Sequence, residues 1–423
     1  MKETFLKVVK KIYYFKDKIA FYPSIIAFLG CLFAYGMMFA ESRGFSDYLF
    51  EFAPQLVISD LETARTLLTT FIAGLISIMV FSFSMVMILL NQASSNFSPR
   101  LLPGLISNRR HQIVLGIYIA TILYCIFILV FIEPTGKDYR VPGFSVLLSI
   151  VFMVFCLGAF IYFIHSISQE IQIGNIMNKI FLESEAQLKS EIDREKKQKD
   201  DFPNTENWTV HKTIAYGYLQ SVSDDILLDI AKNYNIKIDV TARKGEYFYE
   251  NEELFRTNKP VDEDCVNKIH TAFVISFNEL LVENYILDFK HLKEIALKAM
   301  SPGINDPGTA IYALDYISNL LNLRIQKKDS SYYGKNDNVL VRIQLVPFSS
   351  ILHQTFTSLR TYCKNDAIVT KKMLSVLFKL KDFSTNKENT DAITKEIELV
   401  LNDAKEALSN QNDLNEILSY QHL

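Results

Sequence analysis

The amino-acid sequence lacks the short motifs that mark common classes of enzyme and metalloprotein. It has no glycine-rich phosphate loop, no Cys-X-X-Cys pair and no His-Glu-X-X-His segment. Its five cysteines are scattered, which predicts neither a disulfide framework nor a zinc site. The seven histidines are scattered too and lack the spacing of metal ligands. The sequence therefore predicts no enzymatic activity, no metal site and no cofactor.

Charged residues are missing from long parts of the chain. They make up 22% of the 423 residues, while 49% of the residues are hydrophobic. Because mean hydropathy is nevertheless +0.12, the two classes must be segregated, as in a membrane protein with an attached soluble part. The formal net charge of −3 divides into +3 for residues 1–170 and −6 for the remainder. This balance argues against a nucleic-acid-binding protein, which needs a concentrated basic face.

Four apolar stretches without Asp, Glu, Lys, Arg or His are long enough to cross a bilayer, which takes about 20 helical residues. They are residues 19–40, 66–90, 113–132 and 144–164. The apolar core of the first stretch is too long for a signal peptide, so we interpret it as a retained span. The predicted fold is a mostly α membrane protein, with a four-helix transmembrane region over residues 19–164 followed by a cytosolic α+β domain.

The basic residues of the short loops predict the orientation. Residues 1–18 contain six lysines, and the second loop has three arginines and no acid, whereas acids outnumber or equal basic residues in the first and third loops. Basic loops stay in the cytoplasm, so both termini are predicted to be cytoplasmic. The basic residues of the second loop, which is predicted to be cytoplasmic, are Arg100, Arg109 and Arg110. Apolar residues recur at helical spacing within residues 1–18, which predicts a basic amphipathic helix on the lipid headgroups; alternatively, its lysines only set topology.

The soluble half divides into three parts. Residues 165–207 predict a helical extension and a charged linker, residues 208–260 a small mixed α/β segment, and residues 261–423 a mainly helical region. Within the mixed segment we predict a strand over 211–220 and a helix with Ser223 or Asp224 as its N-cap. A further strand over 236–243 is predicted to pair across Gly245 with residues 246–254. Residues 338–347 have the pattern of one later strand.

One polar pattern in the second span is regular. Thr70, Ser77, Ser84 and Asn91 are seven residues apart, so they share one helix face with a drift of about 20° per step. We call this face the polar stripe. Small and hydroxyl residues concentrate where membrane helices pack, so the stripe is consistent with helix packing. The alternative is a surface that lines a pore.

A Pro- and Gly-rich segment, SPGINDPG, separates two helical patterns in the soluble half. The prolines cannot lie inside helices, and Gly303 is predicted to adopt a positive φ. Asp306 followed by Pro307 predicts an N-cap with proline at the first helical position. The segment is then either a rigid elbow or an ion site, in which helix amides bind an anion or Asn305 and Asp306 a cation. The elbow consists of Ser301, Pro302, Gly303, Asn305, Asp306 and Pro307.

Five segments resemble a large bacterial family described only as predicted membrane proteins of unknown function. They are residues 93–116, 161–173, 217–220, the elbow with its flanking helices (295–317), and residues 337–362, which include Arg342, Arg360 and Tyr362. The resemblance implies four membrane helices, a cytosolic mixed domain and a bacterial plasma (inner) membrane. The chain departs from the family where an Arg-Thr…Gln-Asp pattern is expected ahead of the elbow helix. It has Glu279, Leu280, Glu283 and Asn284 there.

Two functions from different classes follow. Coupled transporters hold ionisable groups at membrane depth, and the four spans contain none. We therefore predict a homo-oligomeric channel or uncoupled pore in the lipid bilayer, controlled by the cytosolic domain. The alternative is a membrane-anchored sensor or scaffold whose cytosolic domain binds a ligand or partner.

Overall fold

A computed structural model describes residues 20–52, 58, 60–96, 109–132, 142–170, 172–196, 201–277, 284–335 and 338–419. The chain forms two compact units that meet in sequence at Gln172 and Ile173. The predicted amphipathic segment over residues 1–18 lies outside the described residues. So do Arg100, Glu279, Leu280, Glu283 and residues 197–200 of the charged linker.

The first unit is built from helices, and four of them are long and apolar enough to span a membrane. This confirms the predicted fold class, in which four spans precede a mixed domain. The helix of the second span is longer than predicted, with 36 residues or about 54 Å, which exceeds the hydrocarbon core of a bilayer. The helices are α1 (Phe21–Ser42), α2 (Phe45–Phe52), α3 (Leu61–Asn96), α4 (Arg109–Phe131) and α5 (Gly143–Glu170).

Close packing between α1 and α4 depends on glycine. A Cβ added to Gly30 would lie 2.7 Å from the Cβ of Ala120, and one added to Gly116 would lie 2.8 Å from Cδ1 of Ile26. Small residues allow membrane helices to approach at backbone distance, where dispersion contacts replace a hydrophobic driving force. The interior of the unit also contains Tyr124 and Ile128 from α4, which pack with residues of α1, α3 and α5.

The second unit mixes helices with short strands. Its first helix, α6 (Ile173–Glu195), is separate from α5, whereas one continuous helical extension was predicted. The remaining helices are α7 (Asp224–Asn233), α8 (Glu263–His270), α9 (Tyr285–Ala299), α10 (Pro307–Arg324), α11 (Phe348–Cys363), α12 (Ala367–Phe383), α13 (Lys387–Ala407) and α14 (Gln411–Ser419). The strands are β1 (Thr209–Lys212), β2 (Gly217–Val222), β3 (Ile238–Val240), β4 (Tyr247–Phe248), β5 (Glu253–Thr257), β6 (Phe273–Ser276), β7 (Ser330–Lys335) and β8 (Asn338–Gln344).

The strands form a five-stranded sheet in the order β1-β5-β3-β8-β7 and a three-stranded sheet in the order β4-β2-β6. Two predictions were wrong here. The strand predicted over 211–220 is two strands, β1 and β2, which belong to different sheets. The predicted partner of β3 also differs, because β4 pairs with β2 while β5 pairs antiparallel with β3. Alternation of apolar residues identified these strands, but it carries no information about which strands pair.

A buried ion pair joins the parallel strands β3 and β8. Asp239 is fully buried, and its carboxylate accepts bonds from Nε and Nη2 of Arg342 at 2.7 and 2.6 Å. The hydroxyl of Thr205 donates a third bond to it at 2.8 Å. These bonds to Asp239 raise the pKa of the Arg342 guanidinium above its ordinary value. Buried apolar residues of the same core exclude water from the Asp239 carboxylate. They include Leu254, Phe255 and Val341.

Candidate functional site

Helix α3 has two opposite faces, each marked by residues seven positions apart. Three residues of α3 at this spacing are fully buried and face the interior of the first unit, which contains the four spans and is called the membrane unit below. They are Leu68, Leu75 and Ser82. Ser84 follows Ser82 by two positions, a rotation of about 200° on a helix, and it is exposed. The whole polar stripe is exposed, namely Thr70, Ser77, Ser84 and Asn91. The helices that this structure describes therefore leave the stripe uncovered, and packing within one protomer does not account for it.

Three of the stripe hydroxyls are hydrogen-bonded to their own helix. Thr70 donates to the carbonyl of Thr66 at 2.7 Å, and Ser77 to that of Ala73 at 2.9 Å. Ser84 donates to the carbonyl of Val80 at 2.9 Å. Each hydroxyl oxygen keeps free acceptor capacity on its outer side. The stripe can consequently accept hydrogen bonds from water or from another helix.

Large apolar side chains flank the stripe on the same outer surface. Phe81, Phe83, Met87 and Ile88 are each about half exposed or more, with fractions from 54% to 66%. Lipid chains or the helices of another protein can cover such a surface. The outer face of α3 thus alternates hydroxyl groups with apolar side chains along its length.

The described part of the predicted basic loop is the start of α4. The guanidinium of Arg109 lies over the ring of Tyr22, 4.8 Å from its centroid, so it makes a cation–π contact with α1. Arg110 is exposed. This arrangement places aromatic and cationic groups together at one end of the membrane unit, as is common at a membrane–water interface.

A buried carboxylate at the opposite end of α1 was not identified from the sequence. Glu41 accepts bonds from the hydroxyl of Ser46 at 2.5 Å and from the backbone N–H and hydroxyl of Ser145 at 2.9 and 2.8 Å. The backbone N–H of Phe144 donates to Ser46, and the hydroxyl of Tyr124 donates to the carbonyl of Ser145. A carboxylate at the N-terminus of α5 also has a favourable interaction with the helix dipole. Glu41 therefore fastens the end of α1 to the start of α5.

The elbow joins α9 to α10, and Asp306 is the N-cap of α10, as predicted. Its Oδ1 accepts from the backbone N–H of Thr309 at 3.0 Å, and its Oδ2 accepts from the Thr309 hydroxyl at 2.6 Å. These bonds, the hydroxyl bond above all, lower the pKa of the Asp306 carboxyl. Pro307 occupies the start of the helix, where its missing N–H leaves no bond unmade.

The predicted role of Gly303 was wrong. The positive φ of the elbow occurs at Asn305, with φ +48°, and Gly303 is not among the residues with positive φ. A Cβ at Gly303 would meet no atom within 4 Å. Asparagine tolerates the left-handed region because its short polar side chain bonds locally. The backbone N–H of Asn305 donates to the carbonyl of Ser301 at 3.0 Å, which closes the turn.

The exposed carboxylate of the elbow, Asp306, accepts two bonds as a cap. Within the described ranges, no group of three or more His, Cys, Asp or Glu residues is placed to hold a metal ion. The described geometry accounts for the segment as a stiff connection between two helices.

Replacing the cap tests this interpretation. Asp306→Ala should lower the free energy of unfolding by about 0.5–2 kcal/mol, because Thr309 loses its acceptor. Asp306→Asn should keep most of the stability that the cap contributes, because asparagine is also a good N-cap residue. Gly303→Ala is the matched control and should be nearly neutral, since no positive φ or contact opposes a Cβ. Urea unfolding followed by the fluorescence of Trp208, the single tryptophan, measures these differences. A strong loss for Gly303→Ala or none for Asp306→Ala would contradict the assignment.

The dependence of stability on pH in the acidic range provides a second test of the same cap. Because the folded pKa of Asp306 is lowered, its contribution is present above the ordinary value of 3.8 and is lost as pH falls through the folded value. The difference in stability between the parent protein and Asp306→Asn should therefore shrink in that acidic range.

Comparison with known proteins places the chain among membrane proteins. A family model described as "Predicted membrane protein (DUF2254)" matches residues 16–379. Two relatives, each called an uncharacterized protein, come from Mycobacterium bovis and Mycobacterium tuberculosis strain H37Rv. Each is 25% identical over 367 residues, which cover 83% of this chain and 70% of the relative. No solved structure matches the chain significantly.

Proposed function

The chain belongs to the DUF2254 family of predicted membrane proteins, and we propose that it forms a homo-oligomeric, uncoupled pore in the bacterial inner membrane. It conducts rather than catalyses, and its α3 helices line the conducting path. The cytosolic unit controls the opening. The single observation that carries this proposal is the outward position of the polar stripe.

The stripe favours assembly around α3 for a physical reason. A lipid-facing helix gains nothing from hydroxyl groups at every seventh position, whereas a helix facing water or another protein does. Thr70, Ser77 and Ser84 keep acceptor capacity towards the outside, and Asn91 extends the same face. When several copies turn this face inward, hydroxyls and backbone carbonyls form the wall of a channel without any charged group.

The absence of ionisable side chains from the four predicted spans supports passive conduction. A proton- or ion-coupled carrier needs titratable groups at membrane depth to bind the coupling ion. A passive pore needs only a wall that replaces part of the hydration shell of the solute.

The proposed orientation places both termini in the cytoplasm, on the basis of loop charge. A single cysteine at Asp47 should react with a membrane-impermeant thiol reagent in intact cells, and one at Asn108 should not. Labelling at Asn108 but not at Asp47 would reverse the orientation.

The oligomeric state is the first requirement of the proposal. Four helices with one outward stripe are too few to enclose a pore, so we expect a ring of four or more copies. Mass measurement of the purified protein in detergent or in lipid nanodiscs tests this. A monomer in both environments would exclude the pore.

Accessibility distinguishes a wall from a helix contact. We expect Ser77→Cys and Ser84→Cys to react with small hydrophilic thiol reagents, in a protein whose five native cysteines are replaced by alanine. Ser82→Cys is the matched control on the buried face of α3 and should be protected. If all three positions are unreactive in a stable oligomer, the stripe packs subunits together and does not line water.

The alternative function, a membrane-anchored sensor or scaffold, is favoured by a different observation. The cytosolic unit contains a sizeable cavity with both polar and apolar lining residues. A sensor would bind its ligand in that unit and show no flux in proteoliposomes, whereas a regulated pore would show flux.

A further inference from the structure

The cytosolic unit contains a partly open cavity of about 490 Å³, to which neither the stripe nor the elbow contributes. It lies among α6, the start of α9 and the hairpin of β7 and β8. Sites for small molecules in proteins typically measure about 300–1,000 Å³. The cavity therefore has the size of a site for a small organic molecule and is much larger than a single inorganic anion needs.

Four charged residues line the cavity, the acids Glu191 and Asp224 and the bases Arg194 and Lys244. Asp224 pairs with Arg194 at 3.2 Å, and Glu191 pairs with Lys327 at 3.5 Å. Lys244 also lines the cavity, is half-buried, and has no ion-pair partner among the residues that the structure describes. A half-buried ammonium group without a partner favours an anionic ligand.

Two further residues that line the cavity carry N–H donors, namely Asn284 and Arg194. Asn284 is 6% exposed, and its Oδ1 accepts from the backbone N–H of Ile286 at 3.2 Å. Its Nδ2 faces the turn at Gly245, 3.5 Å from the position of a Cβ there, and has no acceptor within the described ranges. Arg194 uses Nη1 for Asp224, and its other N–H groups make no bond to a described residue. These donors belong to residues that line the same cavity, so a ligand group rich in acceptors complements them.

One wall of the cavity is apolar. Tyr333, Ile343, Leu345 and Val346 contribute to it from the β7–β8 hairpin and the segment after it. Such a wall accepts a ring or another flat apolar group, while a phosphate bound by Lys244 would lie at the polar side.

From these observations we infer that the cavity binds an organic phosphate of mononucleotide size. The phosphate is held by Lys244, Arg194 and the amide of Asn284, and the ring packs on the apolar wall. This site lies within one unit and does not depend on the pore, so either proposal can fail without the other.

Calorimetric titration of the full-length protein in detergent tests the site, with AMP as the probe. We expect AMP to bind with a dissociation constant below about 1 mM. Adenosine, inorganic phosphate and glycerol phosphate, which represents a lipid headgroup, should each bind at least about tenfold more weakly, because each lacks one half of the complementary surface. Inorganic phosphate or glycerol phosphate binding as tightly as AMP would overturn the assignment of the apolar wall.

Three variants decide whether binding occurs in this cavity. Lys244→Met keeps the length of the side chain but removes its charge and should weaken AMP binding by about tenfold or more. Ser190→Trp, from an exposed position of α6 at the cavity, should abolish binding by filling the space. Lys212→Met, at an exposed lysine of β1 away from the cavity, should leave it unchanged. The inference would be overturned if the folded parent protein did not bind AMP. It would also be overturned if Lys244→Met and Ser190→Trp bound AMP as tightly as the parent protein does.

Discussion

Asp239→Ala should lower the free energy of unfolding of the second unit by about 3–5 kcal/mol, because it leaves the guanidinium of Arg342 without its partner. The carboxylate is fully buried and accepts three bonds, two of them from Arg342 at 2.7 and 2.6 Å. Trp208 lies near Thr205, a third member of this group, so its fluorescence in a urea titration follows the affected region. Unfolding near the parent midpoint would contradict the expected loss.

Two controls separate the buried ion pair from charge removal in general. Asp264 pairs with Lys268 on the surface, where both side chains are more than half exposed, so Asp264→Ala should hardly move the unfolding midpoint. Replacing both members of the buried pair, as in Asp239→Leu with Arg342→Met, should recover much of the loss because no uncompensated charge remains. If the double variant is as unstable as Asp239→Ala, packing rather than charge determines the effect.

Gly30→Leu should have the second large effect, a loss of the folded membrane unit. Even a Cβ at this position would lie 2.7 Å from the Cβ and 2.9 Å from the Cα of Ala120, so α1 and α4 would have to separate. Overpacking of this kind costs about 1–3 kcal/mol for small increments, and a leucine adds three more carbons. Thermal unfolding of the protein in detergent micelles measures the loss.

The matched control lies in the same helix. Gly36 is exposed and a Cβ there would meet nothing within 4 Å, so Gly36→Leu should fold as the parent protein does. Leucine also has a higher helix propensity than glycine, so the control variant should be slightly more stable than the parent protein. Equal thermal midpoints for both variants would show that α1 does not pack on α4 through Gly30.

Local features of this fold were predictable from the sequence because each depends on neighbouring residues. The four spans follow from uninterrupted apolar length, and the caps Ser223 and Asp306 follow from residue types at helix starts. The positive φ in the elbow was assigned to Gly303 although Asn305 adopts it, since both residue types tolerate that conformation and the sequence does not rank them.

Features that join distant segments were not predictable. Asp239 pairs with Arg342 across 103 positions, and Glu41 reaches Ser145 across 104. In the sequence, Glu41 is one acid among several in a loop, and it was counted only for its charge. The direction of the polar stripe is likewise a property of the assembled unit, because heptad spacing shows that residues share a face but not whether that face is covered.

Ion flux through reconstituted protein most directly tests whether α3 lines a pore. Proteoliposomes containing Ser77→Cys or Ser84→Cys should conduct, and a bulky hydrophilic thiol reagent should then reduce their flux. The same treatment of Ser82→Cys, on the buried face of α3, should leave flux unchanged. Flux no greater than that of protein-free liposomes, or equal flux before and after modification of Ser77→Cys and Ser84→Cys, would contradict the proposed pore.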